Sequence, residues 1–73
     1  GGPGVWKTGL SRETFSISDV EGEISALYLV CNGRETRLEY PVQAPWRAPG
    51  NPDGCEIDIV GTAGTRLVLH QYR

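Results

Sequence analysis

Residues 27–40 read LYLVCNGRETRLEY, and this stretch decides the fold. It predicts a β-hairpin, because two short runs of strand-forming residues flank Asn32 and Gly33. A type I′ turn requires a positive φ at both central residues, and Asn followed by Gly adopts such angles most easily. With these two residues in the loop, the cross-strand pairs are Cys31–Arg34, Val30–Glu35, Leu29–Thr36, Tyr28–Arg37 and Leu27–Leu38.

The alternation of side chains supports the same register. One face of the hairpin carries Leu27, Leu29 and Leu38, which we expect in the core. A shift of the register by one residue would turn Leu38 to the opposite face. On that opposite face Tyr28 lies across from Arg37, and we expect the two side chains to stack at the surface, a contact of ~0.5–1 kcal/mol.

Other short runs along the chain alternate in the same way. We expect a short strand over 5–8, a strand over 12–17, an acidic loop over 18–23, and a second hairpin made of strands 55–60 and 65–72. With four of the five Pro residues between positions 41 and 52, the stretch 41–54 predicts a stiff edge or loop that connects the two hairpins.

These elements predict an all-β fold in a single domain. The chain has 73 residues, of which 38% are hydrophobic, and no window of ten or more residues shows helical spacing. Five to six antiparallel strands joined by a Pro-rich crossover favour a small β-sandwich, and a small, partly open β-barrel is the alternative. We expect the domain to span residues 5–73, with residues 1–4 as a linker or cloning remnant.

Two cysteines stand on predicted strands beside aliphatic residues of the same face. Cys31 shares its face with Leu27 and Leu29, and Cys55 shares its face with Ile57 and Ile59. This pattern predicts a disulfide that clamps the two hairpins face to face and stabilises the fold by roughly 3–4 kcal/mol. A disulfide indicates an oxidising compartment, so we expect the protein to be secreted, periplasmic or at the cell surface.

Several classes of function find no support in the sequence. The net charge is −2 without a basic block, so nucleic acid is not an expected partner. No run of 18 apolar residues exists, so insertion into a membrane is not expected either. His70 is the one histidine, and nothing in the sequence suggests an activated nucleophile beside it. We therefore expect neither a catalytic residue nor a metal or other cofactor.

The expected function is that of a non-catalytic protein-interaction module. Its binding surface is expected on an edge strand, near 5–8 or 65–72, or on the Pro-rich loop 41–54, where Trp46 and Arg47 are residue types common in binding hot spots. Tyr28, Arg37 and Tyr72 complete the candidate binding residues. Two alternatives stay open: a carbohydrate-binding module that uses Trp46 and Tyr28, and an inhibitor of a secreted hydrolase that presents the Pro-braced loop.

Overall fold

The computed structural model describes residues 3–40, 45–62 and 64–72. Within these ranges the chain forms seven β-strands and a single turn of 3₁₀ helix, Pro52–Gly54. The strands are β1 (Pro3–Gly9), β2 (Thr14–Glu21), β3 (Ile24–Cys31), β4 (Arg34–Leu38), β5 (Trp46–Arg47), β6 (Cys55–Thr62) and β7 (Arg66–Tyr72). These described strands form two antiparallel sheets, ordered β1-β6-β3-β4 and β5-β2-β7. The predicted β-sandwich is confirmed.

The hairpin over 27–40 has the predicted turn and register. Asn32 has a φ of 51° and Gly33 a φ of 83°, so both loop residues adopt the left-handed backbone that the turn requires. The pairs run from Cys31–Arg34 to Leu27–Leu38, as the alternation predicted. Among the described strands β4 pairs with β3 alone, so the two-residue turn sets the register of this hairpin.

Side chains from the facing sides of the two sheets form one core. Leu27 and Ile57 of the first sheet and Phe15 of the second are each 0% exposed. The other buried members are Leu10, Ile17, Leu29, Cys31, Leu38, Ala48, Cys55 and Ile59. Leu67 and Leu69 of β7 are half-buried against this cluster, so their side chains face inward. The sheets are therefore held together by apolar contact between their inner faces.

The predicted pairing of strands 55–60 and 65–72 in a second hairpin is wrong. β6 lies between β1 and β3, so both of its edges are already occupied, and β7 pairs with β2 in the other sheet. The connection after β6 therefore crosses between the sheets. It packs on the end of the β2–β3 turn, where the Thr65 hydroxyl donates to the Glu23 carbonyl at 3.0 Å.

The acidic stretch predicted as a loop over 18–23 is mostly strand. β2 continues to Glu21, and a register irregularity between Ser18 and Glu21 marks a β-bulge. Gly22, with a φ of 82°, then turns the chain into β3. At the other end of the chain, β1 begins at Pro3 and so extends into the stretch predicted as a linker.

The predicted disulfide is present, and its position corrects the expectation that it clamps two hairpins face to face. Cys31 and Cys55 lie directly opposite each other on the neighbouring strands β3 and β6 of one sheet. Their Cα atoms are 4.1 Å apart, as in the closely spaced, non-hydrogen-bonded pairs of an antiparallel ladder. The bond therefore joins strands within a sheet and does not link the two layers.

Candidate functional site

Two of the five candidate binding residues come together on the outer face of the second sheet. Thr14 pairs with Arg47 on one side and with Tyr72 on the other, so the three residues form one row across β5, β2 and β7. Tyr72 is 45% exposed, and its hydroxyl lies 3.0 Å from that of Ser16. Arg47 donates a hydrogen bond to Glu13 at 3.0 Å, an interaction that raises the pKa of the guanidinium.

Tyr28 and Arg37 lie on the outer face of the first sheet. They belong to a row that crosses all its described strands, in the order Lys7, Asp58, Tyr28 and Arg37. Tyr28 is half-buried within the row and Arg37 is exposed at its end. This pair is therefore on the opposite side of the sandwich from Arg47 and Tyr72, and the four residues do not form one site.

Trp46 lies on the inner side of the short strand β5. It pairs with Phe15 and packs, half-buried, against the core, and its indole N–H is buried without a hydrogen-bond partner among the described residues. The structure therefore does not bring Trp46 and Tyr28 together, although the sequence suggested a joint carbohydrate site. Residues 41–44 of the predicted binding loop lie outside the described residues.

The sheet edges differ in how open they are. β4 presents charged side chains, and β5 is two residues long and follows Pro45; both are common ways in which proteins protect an edge from pairing. β1 and β7 are each seven residues long. Among the described residues, the exposed large hydrophobic side chains are those of Val5 and Trp6 on β1 and of Val68 and Tyr72 on β7. The edge strands predicted near 5–8 and 65–72 are thus confirmed as edges.

The direction of the free backbone groups of β1 follows from one hydrogen bond. The Leu10 N–H donates to the Cys55 carbonyl at 3.1 Å, which continues the β1–β6 ladder by one pair. Because the groups of successive residues point to alternate sides of a strand, Thr8 and Trp6 bond to β6 as well. The N–H and C=O groups of Val5 and Lys7 therefore point away from the sheet, where they can meet an incoming strand.

β1 and β7 border the same side of the sandwich. Gln71, near the end of β7, accepts a hydrogen bond at 2.7 Å from the N–H of Ser11, two residues beyond the end of β1. At the other end, the hydroxyl of Thr65 lies 3.3 Å from that of Thr62, which pairs with Pro3. The ends of β7 therefore lie near the two ends of the β1–β6 pair.

Both faces of β1 are open to solvent. Val5, Lys7 and Gly9 on one face and Trp6 and Thr8 on the other are all exposed, and Trp6 is 38% exposed. Trp6 therefore does not lie in the core, because β1 is the edge strand of the first sheet. Sequence reasoning did not single out Trp6 as a candidate binding residue; only its position on a first, short strand hinted at an edge.

A compact charged cluster lies on the outer face of β1 and β6. The Lys7 ammonium contacts Asp58 at 3.4 Å and Glu56 at 3.5 Å. The hydrogen bond that Glu56 shares with Asp58, together with desolvation and the repulsion between the two carboxylates, raises the pKa of Glu56 although Lys7 opposes the shift. The same contacts raise the pKa of Lys7, Asp58 being the main cause. The single charge of Lys7 is thus neutralised within its own sheet.

Two cavities adjoin the disulfide strands. One of about 310 Å³ is lined by Leu29, Cys31, Asn32, Arg34, Thr36 and Pro49, and another of about 390 Å³ is lined by Lys7, Gly9, Asp53, Gly54, Cys55 and Glu56. Across the described ranges, no group of three or more His, Cys, Asp or Glu side chains could hold a metal ion. In the same ranges, no helix is long and apolar enough to cross a membrane.

Comparisons of the chain with protein-family models, with curated proteins and with solved structures give no match. The functional argument therefore depends on the geometry of the edges and faces described above.

Proposed function

We propose that this chain is a non-catalytic protein-interaction module that binds an extended segment of a partner polypeptide along β1. The observation that carries the proposal is the open state of this edge. The outward backbone groups of Val5 and Lys7 are free to pair, and the side chains on both faces of the strand are exposed. An added strand would gain main-chain hydrogen bonds and would cover Val5 and Trp6.

The contrast between the edges supports the choice of β1. A partner strand at β4 would meet Arg34, Glu35 and Arg37, whose charges are costly to desolvate. At β7 the inward side chains Leu67 and Leu69 are already half-buried against the core, so apolar surface is left to cover on the outer face alone, at Val68 and Tyr72. β1 offers an exposed Trp, which is the residue type most enriched in binding hot spots.

The disulfide supports a place outside the cytosol for this module. A buried cross-strand bond between Cys31 and Cys55 is typical of proteins from oxidising compartments. We therefore propose that the module is part of a secreted, periplasmic or cell-surface protein, where small domains of this size often depend on disulfides.

Selection of peptides tests the proposal. Random ten-residue peptides would be displayed and selected on the full chain, and binding of the enriched peptides would be mapped by amide chemical shifts. We expect the perturbed amides to cluster on β1. Val5→Pro should weaken binding at least about tenfold, because it removes an outward N–H that the β1–β6 ladder does not use.

Glu35→Pro is the matched control. By the same alternation, the N–H of Glu35 points away from the sheet on the edge strand β4, so this substitution also removes a free donor without breaking a ladder bond. Binding should be unchanged in this variant. The proposal would be refuted by peptides that bind wild type and Val5→Pro equally, or by the enrichment of no peptide at all.

Carbohydrate binding at the outer face of the first sheet is a second candidate function. The observation that favours it is the row in which Tyr28 lies between Asp58 and Arg37, since an aromatic ring flanked by charged hydrogen-bonding groups suits a sugar ring. A glycan array probed with wild type and with Tyr28→Ala tests it. Binding that Tyr28→Ala does not reduce would exclude this face.

A further inference from the structure

We infer that the strand accepted by β1 is β1 of a second copy of this chain, so that two first sheets join into one continuous sheet. This inference rests on the proposed use of β1 as the binding edge and identifies its partner. The two strands run antiparallel about a two-fold axis that passes beside Trp6.

The register follows from the length of the strand and the direction of its backbone groups. Centring the pair on Trp6 matches all seven residues of β1: Val5 with Lys7 of the second copy, Gly4 with Thr8, Pro3 with Gly9, and Trp6 with itself. Val5 and Lys7 carry the outward groups, so each Val5 N–H donates to the carbonyl of Lys7 in the second copy, and each Lys7 N–H donates to that of Val5.

Neighbouring registers fit less well. A shift of the axis to Lys7 places two ammonium groups opposite each other, which is unfavourable, and pairs five residues instead of seven. A shift to Val5 also pairs only five residues and makes fewer main-chain hydrogen bonds, because the two Pro3–Lys7 pairs each lack one N–H donor. The arrangement centred on Trp6 therefore pairs the most residues and avoids contact between like charges.

The side chains of the strand suit this pairing on both faces. On the inner side, the two Trp6 residues meet at a non-hydrogen-bonded position, where Cα atoms are about 4.5 Å apart and side chains are closest. Trp6 is 38% exposed in the single chain, so the contact covers the part of its surface that is open to water. On the outer side, Val5, which is 58% exposed, covers the aliphatic stem of Lys7 of the second copy.

The charge of Lys7 does not oppose this contact. Its ammonium group is held by Asp58 and Glu56 of its own sheet at 3.4 and 3.5 Å, directed away from the new interface. The stem can therefore lie against Val5 while the charge stays neutralised. The same patch is used on both copies, as in most closed dimers.

Sedimentation and cross-linking of the full chain test the inference. Wild type should show a concentration-dependent monomer–dimer equilibrium, and Val5→Pro should raise the dissociation constant about thirtyfold, since two hydrogen bonds are lost per dimer. Glu35→Pro should leave it unchanged. For the register, Gly4→Cys and Thr8→Cys should form a disulfide-linked dimer when mixed, whereas each variant alone should not.

The outcomes separate this inference from the proposed function. Peptide mapping by mass spectrometry first confirms that Cys31 remains bonded to Cys55 in every variant. A wild type that stays monomeric while selected peptides still bind at β1 would overturn the second copy as partner and leave the proposed function standing. A dimer that is insensitive to Val5→Pro, together with peptide binding that is also insensitive, would overturn both. Cross-linking of Thr8→Cys with itself would overturn the register.

Discussion

Reduction of the Cys31–Cys55 bond should weaken this protein strongly without separating its two sheets. The bond closes a loop with a sequence separation of 24 residues. In the chain-entropy treatment, a cross-link of that span lowers the free energy of the native state relative to the unfolded state by about 3.5 kcal/mol. Because the bond joins neighbours within one sheet, the contact between the sheets through Leu27, Phe15 and Ile57 does not depend on it.

Urea denaturation of the oxidised and the reduced chain measures this loss, with Trp fluorescence and far-ultraviolet circular dichroism as probes. Both thiols stay in place on reduction, so the comparison isolates the cross-link. With a slope of about 1 kcal/mol per molar urea for a chain of this size, the midpoint should fall by roughly 3.5 M. Before urea is added, the strand signal of the reduced chain should match that of the oxidised chain.

Two results would refute this reasoning. A loss below about 1 kcal/mol would mean that the cross-link does not restrict the unfolded chain as assumed. Loss of the strand spectrum on reduction alone, in the absence of urea, would mean that the second sheet depends on the bond. In that case the apolar core would contribute less than its burial indicates.

Three further predictions concern the core, one glycine and the charged cluster. Leu27→Ala should lower the free energy of unfolding by about 2–5 kcal/mol, because Leu27 is fully buried; a loss below 1 kcal/mol would contradict this. Gly61→Ala should lower the free energy of unfolding by about 2 kcal/mol or more, because the new Cβ would lie 2.5 Å from the Glu23 carbonyl oxygen. In the control Gly9→Ala the new Cβ meets no described atom within 4 Å, so the free energy of unfolding should change by less than about 0.5 kcal/mol. Thermal unfolding of both variants decides this, and equal losses would contradict it. Glu56→Gln should flatten the pH dependence of stability, because the raised pKa of Glu56 means that protonation of its carboxylate favours the folded state. Wild type should therefore lose stability relative to the variant as the pH rises from the ordinary pKa of 4.5 through the raised pKa. Parallel stability curves of the two proteins between pH 4 and 7 would contradict this.

Local sequence alone determined the hairpin over 27–40. The angles at Asn32 and Gly33 follow from the two residue types, and a two-residue loop fixes which residue of β4 lies opposite each residue of β3. The alternation along the strands was equally informative about burial: Leu27, Leu29, Leu38, Ile57 and Ile59 all lie in the core as predicted. Both kinds of signal act between residues that are close in the chain, so no further information was needed.

The partners of strands that are distant in sequence were decided by the tertiary structure. Alternation shows which side of a strand faces the core, but it does not show which strand lies beside it. Strands 55–60 and 65–72 have the pattern of a hairpin. However, β6 pairs with β1 on one edge and with β3 on the other, so β7 pairs with β2 in the second sheet. The same arrangement places the disulfide within a sheet, although its pairing could be read from the sequence.

The candidate site depended still more on tertiary structure. Residue type singled out Trp46 as a binding residue, but pairing with β2 turns its ring toward the core. Trp6 is exposed although a large aromatic side chain is usually well buried, because β1 is an edge strand. The sequence by itself determined which residues turn and alternate, since these properties are local. Which edges stay open was decided by the tertiary structure, because an edge strand is one that pairs on one side only, and this depends on the pairing of all the other strands.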